Sequence, residues 1–306
     1  MAEPLIENVS DTSFWIAHLR AVETERADAL FRDPFAGRLA GERGAQIAAA
    51  MPMSRVIAWT VAIRTCIIDD YINFAIGEGV DSVLNLGAGL DTRPYRMNLP
   101  ASLNWIEADY PHIIDYKERV LASERTRCRL ERVQIDLADL SQRRRLFERV
   151  NAQTKKMLVI TEGVLPYLST GEAASLADDL RTLDHAGLWV VDYLHPEMMK
   201  YRQRRGMGRA MQNAPFKFAP ADWFGFFREH GWQAKEIRYV AEEAERLGRP
   251  ISLPAPMKIA MKIGLHLLPQ TRRKALQEFM GYVLLEPSSP YNMASNPLPG
   301  EIDEQE

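Results

Sequence analysis

The feature of this sequence with the clearest chemical meaning is a glycine turn followed by an acid. The turn is Gly87-Ala88-Gly89, which ends the largely apolar run 83–86, and Asp109 ends the next apolar run 20 residues after Gly89. Because glycine has no Cβ, the backbone of such a turn can approach a ligand closely. An acid at the end of the following strand is placed to hold the hydroxyl groups of a ribose. The spacing indicates a nucleoside site, although such a turn can also be purely structural.

The residues around the turn narrow the kind of nucleoside. Thr92 stands where the dinucleotide fingerprint Gly-x-Gly-x-x-Gly requires its third glycine. A cofactor without a pyrophosphate therefore fits best, and S-adenosylmethionine is the common one. Glu107 competes with Asp109 by residue type, but Asp109 lies closer to the carboxyl edge of the sheet, where ligands bind. A helix N-cap before Pro111 is the structural alternative for Asp109.

Four motifs, in a fixed order, identify a family. They are RAVETERADALFRDPFA (20–36), GAGLDTRPYR (87–96), EADYPHIIDYK (107–117) and TEGVLPYL (161–168). Together they resemble the leucine carboxyl methyltransferase family, and more closely its bacterial branch of polyketide carboxyl methyltransferases and other S-adenosylmethionine-dependent enzymes. The resemblance implies S-adenosylmethionine as cofactor and an O-methyl transfer as the reaction.

The resemblance also implies cofactor roles for individual residues. Asp109, with Tyr110 beside it, is implied to be the ribose ligand, and the pair Asp136-Leu137 after the third strand to reach the adenine. A plain turn acid at the strand end is the alternative for Asp136. Glu162, at the tip of the fourth strand, is implied to hold the ammonium of the methionine moiety. A carboxylate at an apolar strand end needs a partner, which argues for a ligand there.

Arg64 is the one charge inside the otherwise apolar face of 56–68. A buried arginine is costly unless it is paired. Its partner is either a protein acid, such as Asp69 or Asp70, or the carboxylate of the cofactor, as the corresponding arginine of the family suggests.

Other arginines are candidates for binding an acidic acceptor. Arg20 is the member of the first motif expected to face the active site, although it could instead belong to a salt-linked packing cluster. Arg202 and Arg205 lie in a segment that we expect to be a lid, where a solvated helix is the alternative. The run 143–145 is predicted to be a solvated helix face.

The candidate catalytic residues follow the fourth and fifth strands. His195 stands where a general base could lie beside the methyl donor, and Tyr193 and Tyr167 are nearby alternatives. A phenol acceptor, with a pKa of about 10, gains from a base, whereas a carboxylate acceptor is already ionised and needs none. The role of His195 therefore depends on the acceptor.

The elements that must position these residues form an α/β pattern. Apolar runs alternate with helical patterns and predict seven strands, at 81–87, 103–108, 131–135, 156–161, 187–193, 234–240 and 279–285. Such a pattern predicts a doubly wound seven-stranded sheet, which the resemblance implies to be of the class I methyltransferase type. The resemblance implies that the last strand runs antiparallel beside the fifth.

The same pattern of helices and strands predicts the domain organisation. Residues 1–78 are predicted to form an N-terminal helical cap and 79–286 the cofactor-binding domain. Insertions near 195–220 and 241–275 are longer than ordinary loops and predict lids, and the tail 287–306 is expected to be disordered.

Composition restricts the classes of function. The 306 residues are 46% hydrophobic and 26% charged with a net charge of −3, which predicts a globular protein with no attraction for nucleic acid or an anionic membrane. Two cysteines and the lack of a long apolar run predict a cytoplasmic protein without a disulfide framework.

The acceptor is predicted to be a small aromatic or polyketide-like molecule, because the insertions are rich in Met and aromatic residues. The alternatives are the C-terminal carboxylate of a partner protein, and a cofactor-binding protein without turnover. The sequence does not give an oligomeric state.

Overall fold

A seven-stranded sheet organises the protein in this computed structural model, which describes residues 6–195, 210–251 and 277–288. The strand order is β3-β2-β1-β4-β5-β7-β6, with β1 to β5 parallel and β7 antiparallel to both β5 and β6. The strands are β1 Ser82–Leu86, β2 Asn104–Asp109, β3 Arg129–Gln134, β4 Met157–Ile160, β5 Ala186–Leu194, β6 Trp232–Tyr239 and β7 Met280–Pro287. The doubly wound sheet and its antiparallel seventh strand confirm the predicted fold class.

Helices cover both faces of the sheet. They are α1 Asp11–Thr24, α2 Ala36–Ala50, α3 Ser54–Gly77, α4 Arg93–Arg96, α5 Pro111–Val120, α6 Leu140–Ala152, α7 Thr170–Arg181, α8 Trp223–Glu229 and α9 Val240–Arg246, with a 3-10 turn at Leu165–Tyr167. The helix α7 begins at a capping box, in which the side chains of Ser169 and Glu172 each accept a hydrogen bond from the other's backbone N–H.

Two apolar layers fill the space between the helices and the sheet. One contains Leu84, Trp189 and Phe227 beneath α6, α7 and α8, and the other contains Ile67, Val83 and Leu284 beneath α3 and α9. All five residues of β1 are buried, as expected of a central parallel strand with helices on both faces. This buried centre fixes the strand ends that carry the polar residues.

The N-terminal helices lie over the carboxyl ends of the strands. Trp15 of α1 packs with Ile47 of α2 and Val61 of α3, and the same cluster reaches Met211. The buried side chain of Ile6 joins this cluster, and its carbonyl accepts a hydrogen bond from Asn213 Nδ2 at 2.9 Å. The start of the described chain is thus attached to the segment 210–218.

Several predictions concern residues that the structure describes only in part. Of the two insertions, 210–220 and 241–251 are described, and α9 occupies the start of the second. The rest of both insertions, Arg202, Arg205 and nearly all of the tail lie outside the described residues. The division of the chain at residue 78 stays a prediction. Within the described ranges, no helix is long and apolar enough to cross a membrane.

Candidate active site

A cavity of about 730 Å³ opens at the carboxyl ends of β1, β2, β4 and β5. The predicted cofactor residues all line it: Arg64, Gly87, Ala88, Gly89, Asp109, Tyr110, Asp136, Leu137 and Glu162. These residues come from five separate segments of the chain, and the fold brings them to one place. Their individual roles stay predictions, because the shared cavity does not show what each one binds.

The glycine turn forms the floor of this cavity. Gly87 and Gly89 have φ angles of +62° and +49°, a region that residues with a Cβ rarely adopt. A Cβ on Gly87 would lie 2.5 Å from Cγ2 of Val164. Glycine is therefore required here both for the backbone conformation and for the close approach of the loop after β4.

Asp109 is held by the backbone and faces the cavity. Its Oδ2 accepts the N–H of Gly89 at 2.6 Å, and its Oδ1 accepts the N–H of Tyr110 at 2.7 Å. Burial raises its pKa, while these two hydrogen bonds oppose the rise. No side chain caps α5, so the capping alternative for Asp109 is wrong.

Glu107, the competing acid on β2, is used elsewhere. Its two oxygens bind Lys117 Nζ at 2.8 Å and Arg132 Nε at 3.0 Å, and the side chains of Glu107 and Lys117 are fully buried. Because the residues of this cluster do not line the cavity, Glu107 serves packing.

The predicted adenine end is a loop after β3. Oδ1 of Asp136 accepts the N–H of Ala138 at 2.9 Å, which is the bonding of a turn acid. The carbonyl of Leu137 accepts a hydrogen bond from Arg143 Nη1 at 3.2 Å. Asp136 can be a turn acid and a cofactor ligand at the same time, because its side chain stabilises the turn while the residue lines the cavity.

Arg143 corrects the prediction that the run 143–145 is a solvated face. Its side chain is buried and bonds to Asp179 Oδ2 through Nε at 3.0 Å and to Ser175 Oγ through Nη2 at 2.8 Å. The reason is helical phase: Arg143 shares the inward face of α6 with Leu146 and Phe147, and the acid on α7 neutralises it. Arg144 is exposed, as predicted.

Arg64 is paired with Glu162. Its Nε lies 2.8 Å from Glu162 Oε1, and Arg93 Nη1 lies 2.7 Å from Oε2. Burial opposes ionisation of Glu162, but the two guanidinium groups outweigh it and lower its pKa. The predicted alternative of a protein acid as partner is confirmed, but the acid is Glu162, because Asp69 binds Arg93 and Arg96 and Asp70 binds Arg238 and Arg246.

Sequence reasoning missed Asp192 on β5. This buried carboxyl lines the cavity, and its Oδ2 accepts the N–H of Gly163 at 2.8 Å. Burial raises its pKa to about 7, against the opposing charge of Arg64. The signal was strand alternation: Asp192 shares a face with Val190 and Leu188, which pack toward α3, whereas Tyr193 shares the other face.

The three candidate catalytic side chains lie in different places. Tyr167 lines the cavity, with its ring edge-on to Phe216 at 5.1 Å. Tyr193 points to the opposite face of the sheet, where its ring packs on Phe224 at 5.5 Å. His195 stacks on Phe279 at 6.1 Å. Neither Tyr193 nor His195 is among the described residues that line the cavity, and their catalytic roles stay predictions.

The contacts of Arg20 agree with both predictions, a packing cluster and a position at the active site. Its Nε binds Asp33 Oδ2 at 2.9 Å, which belongs to a packing cluster, and its Nη2 binds the carbonyl of Leu90 at 2.6 Å. It also lines the cavity. Thr92, in place of the third glycine, donates to the same Asp33 oxygen at 2.6 Å.

Part of the cavity wall is apolar. It is lined by Trp15, Ile16, Ile57, Met211 and Phe216, which belong to one apolar cluster. Lys217 lines the cavity as an exposed residue, and its charge adds to the hydrogen bonds with Ser169 that lower the pKa of Glu172. The cavity lining thus has two parts, a charged end around Glu162 and an apolar end formed by this cluster.

The sequence of the chain is similar to a known protein family and to named bacterial proteins. The profile of the family described as "Leucine carboxyl methyltransferase" matches residues 13–181. A Mycobacterium tuberculosis protein named "Putative S-adenosyl-L-methionine-dependent methyltransferase" is 32% identical over 275 residues, which covers 81% of this chain and 87% of that protein. A Frankia alni protein of the same description is 30% identical over 270 residues, covering 80% of this chain and 90% of its own length.

Solved structures share the fold. A crystal structure of a protein from Thermobifida fusca, described as a "putative methyltransferase", has a TM-score of 0.52 at 14% identity and covers 94% of this chain and 97% of its own. A DUF574 family protein from Streptomyces avermitilis has a TM-score of 0.51 at 14% identity, covering 89% and 96%. At this identity the likeness supports the architecture alone.

Proposed function

Because the chain belongs to the leucine carboxyl methyltransferase family, we propose that it is an S-adenosylmethionine-dependent O-methyltransferase with a small, largely apolar organic acceptor. The observation that carries this proposal is the two-ended cavity. Its charged end suits a nucleoside joined to an amino acid, and its apolar end suits an organic molecule.

The residues of the charged end fit the cofactor. The turn at Gly87 has no room for a Cβ, and the Asp109 carboxylate at the end of β2 would accept hydrogen bonds from the ribose hydroxyls. Glu162 would hold the ammonium, and Arg64, already beside Glu162, the carboxylate. When bound, S-adenosylmethionine supplies an electrophilic methyl group on a sulfonium.

The protein's own contribution is alignment and exclusion of water. The glycine turn and Asp109 fix the nucleoside, while the paired charges at Glu162 fix the amino acid end. Trp15, Ile57 and Phe216 surround the apolar end and would orient the acceptor toward the strand tips. Correct alignment of a nucleophile with a methyl carbon can remove several kcal/mol of barrier, about 7 in favourable cases.

A carboxylate acceptor is the second candidate, and Lys217 is the observation that favours it. Its ammonium is exposed on the cavity lining, where it could hold an anionic group. This candidate includes the C-terminal carboxylate of a partner protein.

A matched acceptor panel tests the proposal. Each aromatic skeleton is offered as a phenol and as a carboxylic acid, together with peptides that carry a free C-terminal carboxylate. Formation of S-adenosylhomocysteine and a methylated product is followed by mass spectrometry. Methylation of small molecules supports the proposal, and methylation of peptides alone supports the second candidate. Cofactor binding without any product across the panel contradicts enzymatic turnover.

A further inference from the structure

The charged corner of the cavity contains one carboxyl group more than its salt bridges use. Within the described residues, the salt bridges here join three guanidinium groups to three carboxylates: Arg64, Arg93 and Arg96 to Glu162, Asp91 and Asp69. Asp192 is the additional carboxyl group. Its Oδ2 is bonded to the N–H of Gly163.

The groups that face Asp192 come from three elements. Arg64 lies on α3, Glu162 follows β4, and Tyr282 lies on β7. The attraction of Arg64 and the repulsion of Glu162 oppose each other, and burial then favours the protonated form. Among the described residues, Asp192 is therefore a carboxyl group without a salt bridge that lines the cavity, and burial raises its pKa to about 7.

We propose that Asp192 is the proton acceptor of the methyl transfer: it releases its proton when the positively charged methyl donor binds, and takes the hydroxyl proton of the acceptor. This inference rests on the proposed function. It specifies an acceptor that carries a hydroxyl group, because a carboxylate has no proton to lose.

The charge of the bound ligand changes during the reaction, and this change determines whether Asp192 is ionised or protonated. With its ammonium protonated, S-adenosylmethionine has a net charge of +1, whereas S-adenosylhomocysteine is neutral overall. The added positive charge favours ionised Asp192. In the step, the acceptor O–H bond breaks and its proton goes to Asp192. The acceptor oxygen forms a bond to the methyl carbon, and the electron pair of the broken S–C bond stays on sulfur. Loss of the positive charge then favours the protonated acid.

Isothermal titration calorimetry tests the proposal without knowledge of the acceptor. Each ligand is titrated at pH 6.5 in phosphate and in imidazole, buffers whose ionisation enthalpies differ, so that the difference in heat counts protons. At this pH the α-amino groups of both ligands are protonated. We expect binding of S-adenosylmethionine to release about 0.8 proton, the protonated fraction of a group with a pKa of about 7, and binding of S-adenosylhomocysteine to release almost none.

The variant Asp192→Asn should bind S-adenosylmethionine without this release. Asparagine has the same size and can still accept the Gly163 N–H, and a thermal melt verifies the fold. The matched control is Asp178→Asn, an exposed acid on α7 that pairs with His230, and it should release as many protons as the wild type.

The possible results distinguish a failure of the inference about Asp192 from a failure of the proposed methyltransferase function. Equal release from both ligands would mean that Asp192 binds the ammonium they share, and this would overturn the inference. Release that persists in Asp192→Asn would also overturn it. If neither ligand binds the wild type, the proposed function itself fails.

Discussion

Two acids on β2, two residues apart in sequence, have different partners and different roles. Glu107 is enclosed with Lys117 and Arg132, and both of its oxygens are occupied by side-chain cations. Asp109 receives backbone N–H groups and opens on the cavity. Both are buried carboxylates of one strand face, so burial alone does not identify a ligand site. What distinguishes them is whether the partners are other charged side chains or a backbone that leaves lone pairs free.

The comparison extends to the elements behind each acid. Lys117 comes from α5 and Arg132 from β3, so the Glu107 cluster ties the outer half of the sheet together. Burial lowers the pKa of Lys117, and Glu107 opposes the decrease. The Asp109 side is built instead from the glycine turn and strand tips. We therefore expect changes around Glu107 to act on stability and changes around Asp109 to act on binding.

Lys117→Met should have the largest effect on folding. It leaves Glu107 buried with Arg132 as the remaining salt-bridge cation, and breaking a buried pair costs about 3–5 kcal/mol. Urea denaturation measures the loss. The double variant Glu107→Gln/Lys117→Met removes both charges and should recover much of it. Cofactor affinity of the folded fraction should stay close to that of the wild type, and a tenfold loss of affinity would remove the distinction drawn here.

Gly87→Val should reduce both stability and binding. The substituted side chain meets Val164 and adopts a positive φ, which together should cost about 2–4 kcal/mol. The control is Gly77→Ala at the end of α3, where a Cβ meets nothing within 4 Å, and stability should change by less than about 1 kcal/mol. A folded Gly87→Val protein with a wild-type thermal shift on adding S-adenosylmethionine would show that the turn is structural only.

Asp109→Ala should weaken binding of S-adenosylmethionine by about 1.5–3 kcal/mol, which is roughly 10- to 150-fold in Kd, because a charge-assisted hydrogen bond to ribose is lost. Calorimetry measures the affinity directly. Asp115→Ala is the matched control, since this exposed acid on α5 bonds Gln134 away from the cavity. Equal affinities of the two variants would place Asp109 outside the cofactor site.

Asp192→Asn should have the smallest of these effects, a change in how the free energy of unfolding depends on pH. In the wild type the folded pKa of about 7 lies above the unfolded value of about 3.9, so the folded state holds the extra proton between these values. Wild-type stability therefore falls as pH rises through this window and levels off above pH 7. The variant lacks that loss, so from pH 6 to pH 7 its stability relative to the wild type should rise by about 1 kcal/mol. A constant difference across this interval would contradict the raised pKa.

The sequence predicted the fold more fully than the site. Alternating apolar runs located all seven strands, because buried strands and their turns are local patterns. The antiparallel β7 came from the family resemblance. The predicted cofactor residues meet at one cavity because parallel strands present their carboxyl ends at one edge.

The incorrect or missing predictions share a physical cause: the partner of a charged side chain depends on tertiary structure. Arg143 looked solvated in an arginine run, and only the position of Asp179 on α7 shows why it is buried. The pairing of Arg64 with Glu162 joins residues far apart in sequence. Asp192 was passed over for its neighbours Tyr193 and His195, although the two-residue period of β5 separates their faces. A strict count of strand alternation would have favoured Asp192.

The attachment of Ile6 to the segment around Asn213 bears on how the protein is made. The cavity lining runs from Val9 near the start of the chain to Tyr282 on β7, so the site cannot close until the ribosome has released residue 282. At about 5–20 residues per second, that takes roughly 15–60 s. Until residues 211–214 are made, Trp15 and Ile47 lack two members of their cluster, Met211 and Ala214, and the nascent chain exposes apolar surface of the kind that chaperones recognise. A chain interrupted before β7 should therefore be handled as unfolded rather than yield a weak enzyme.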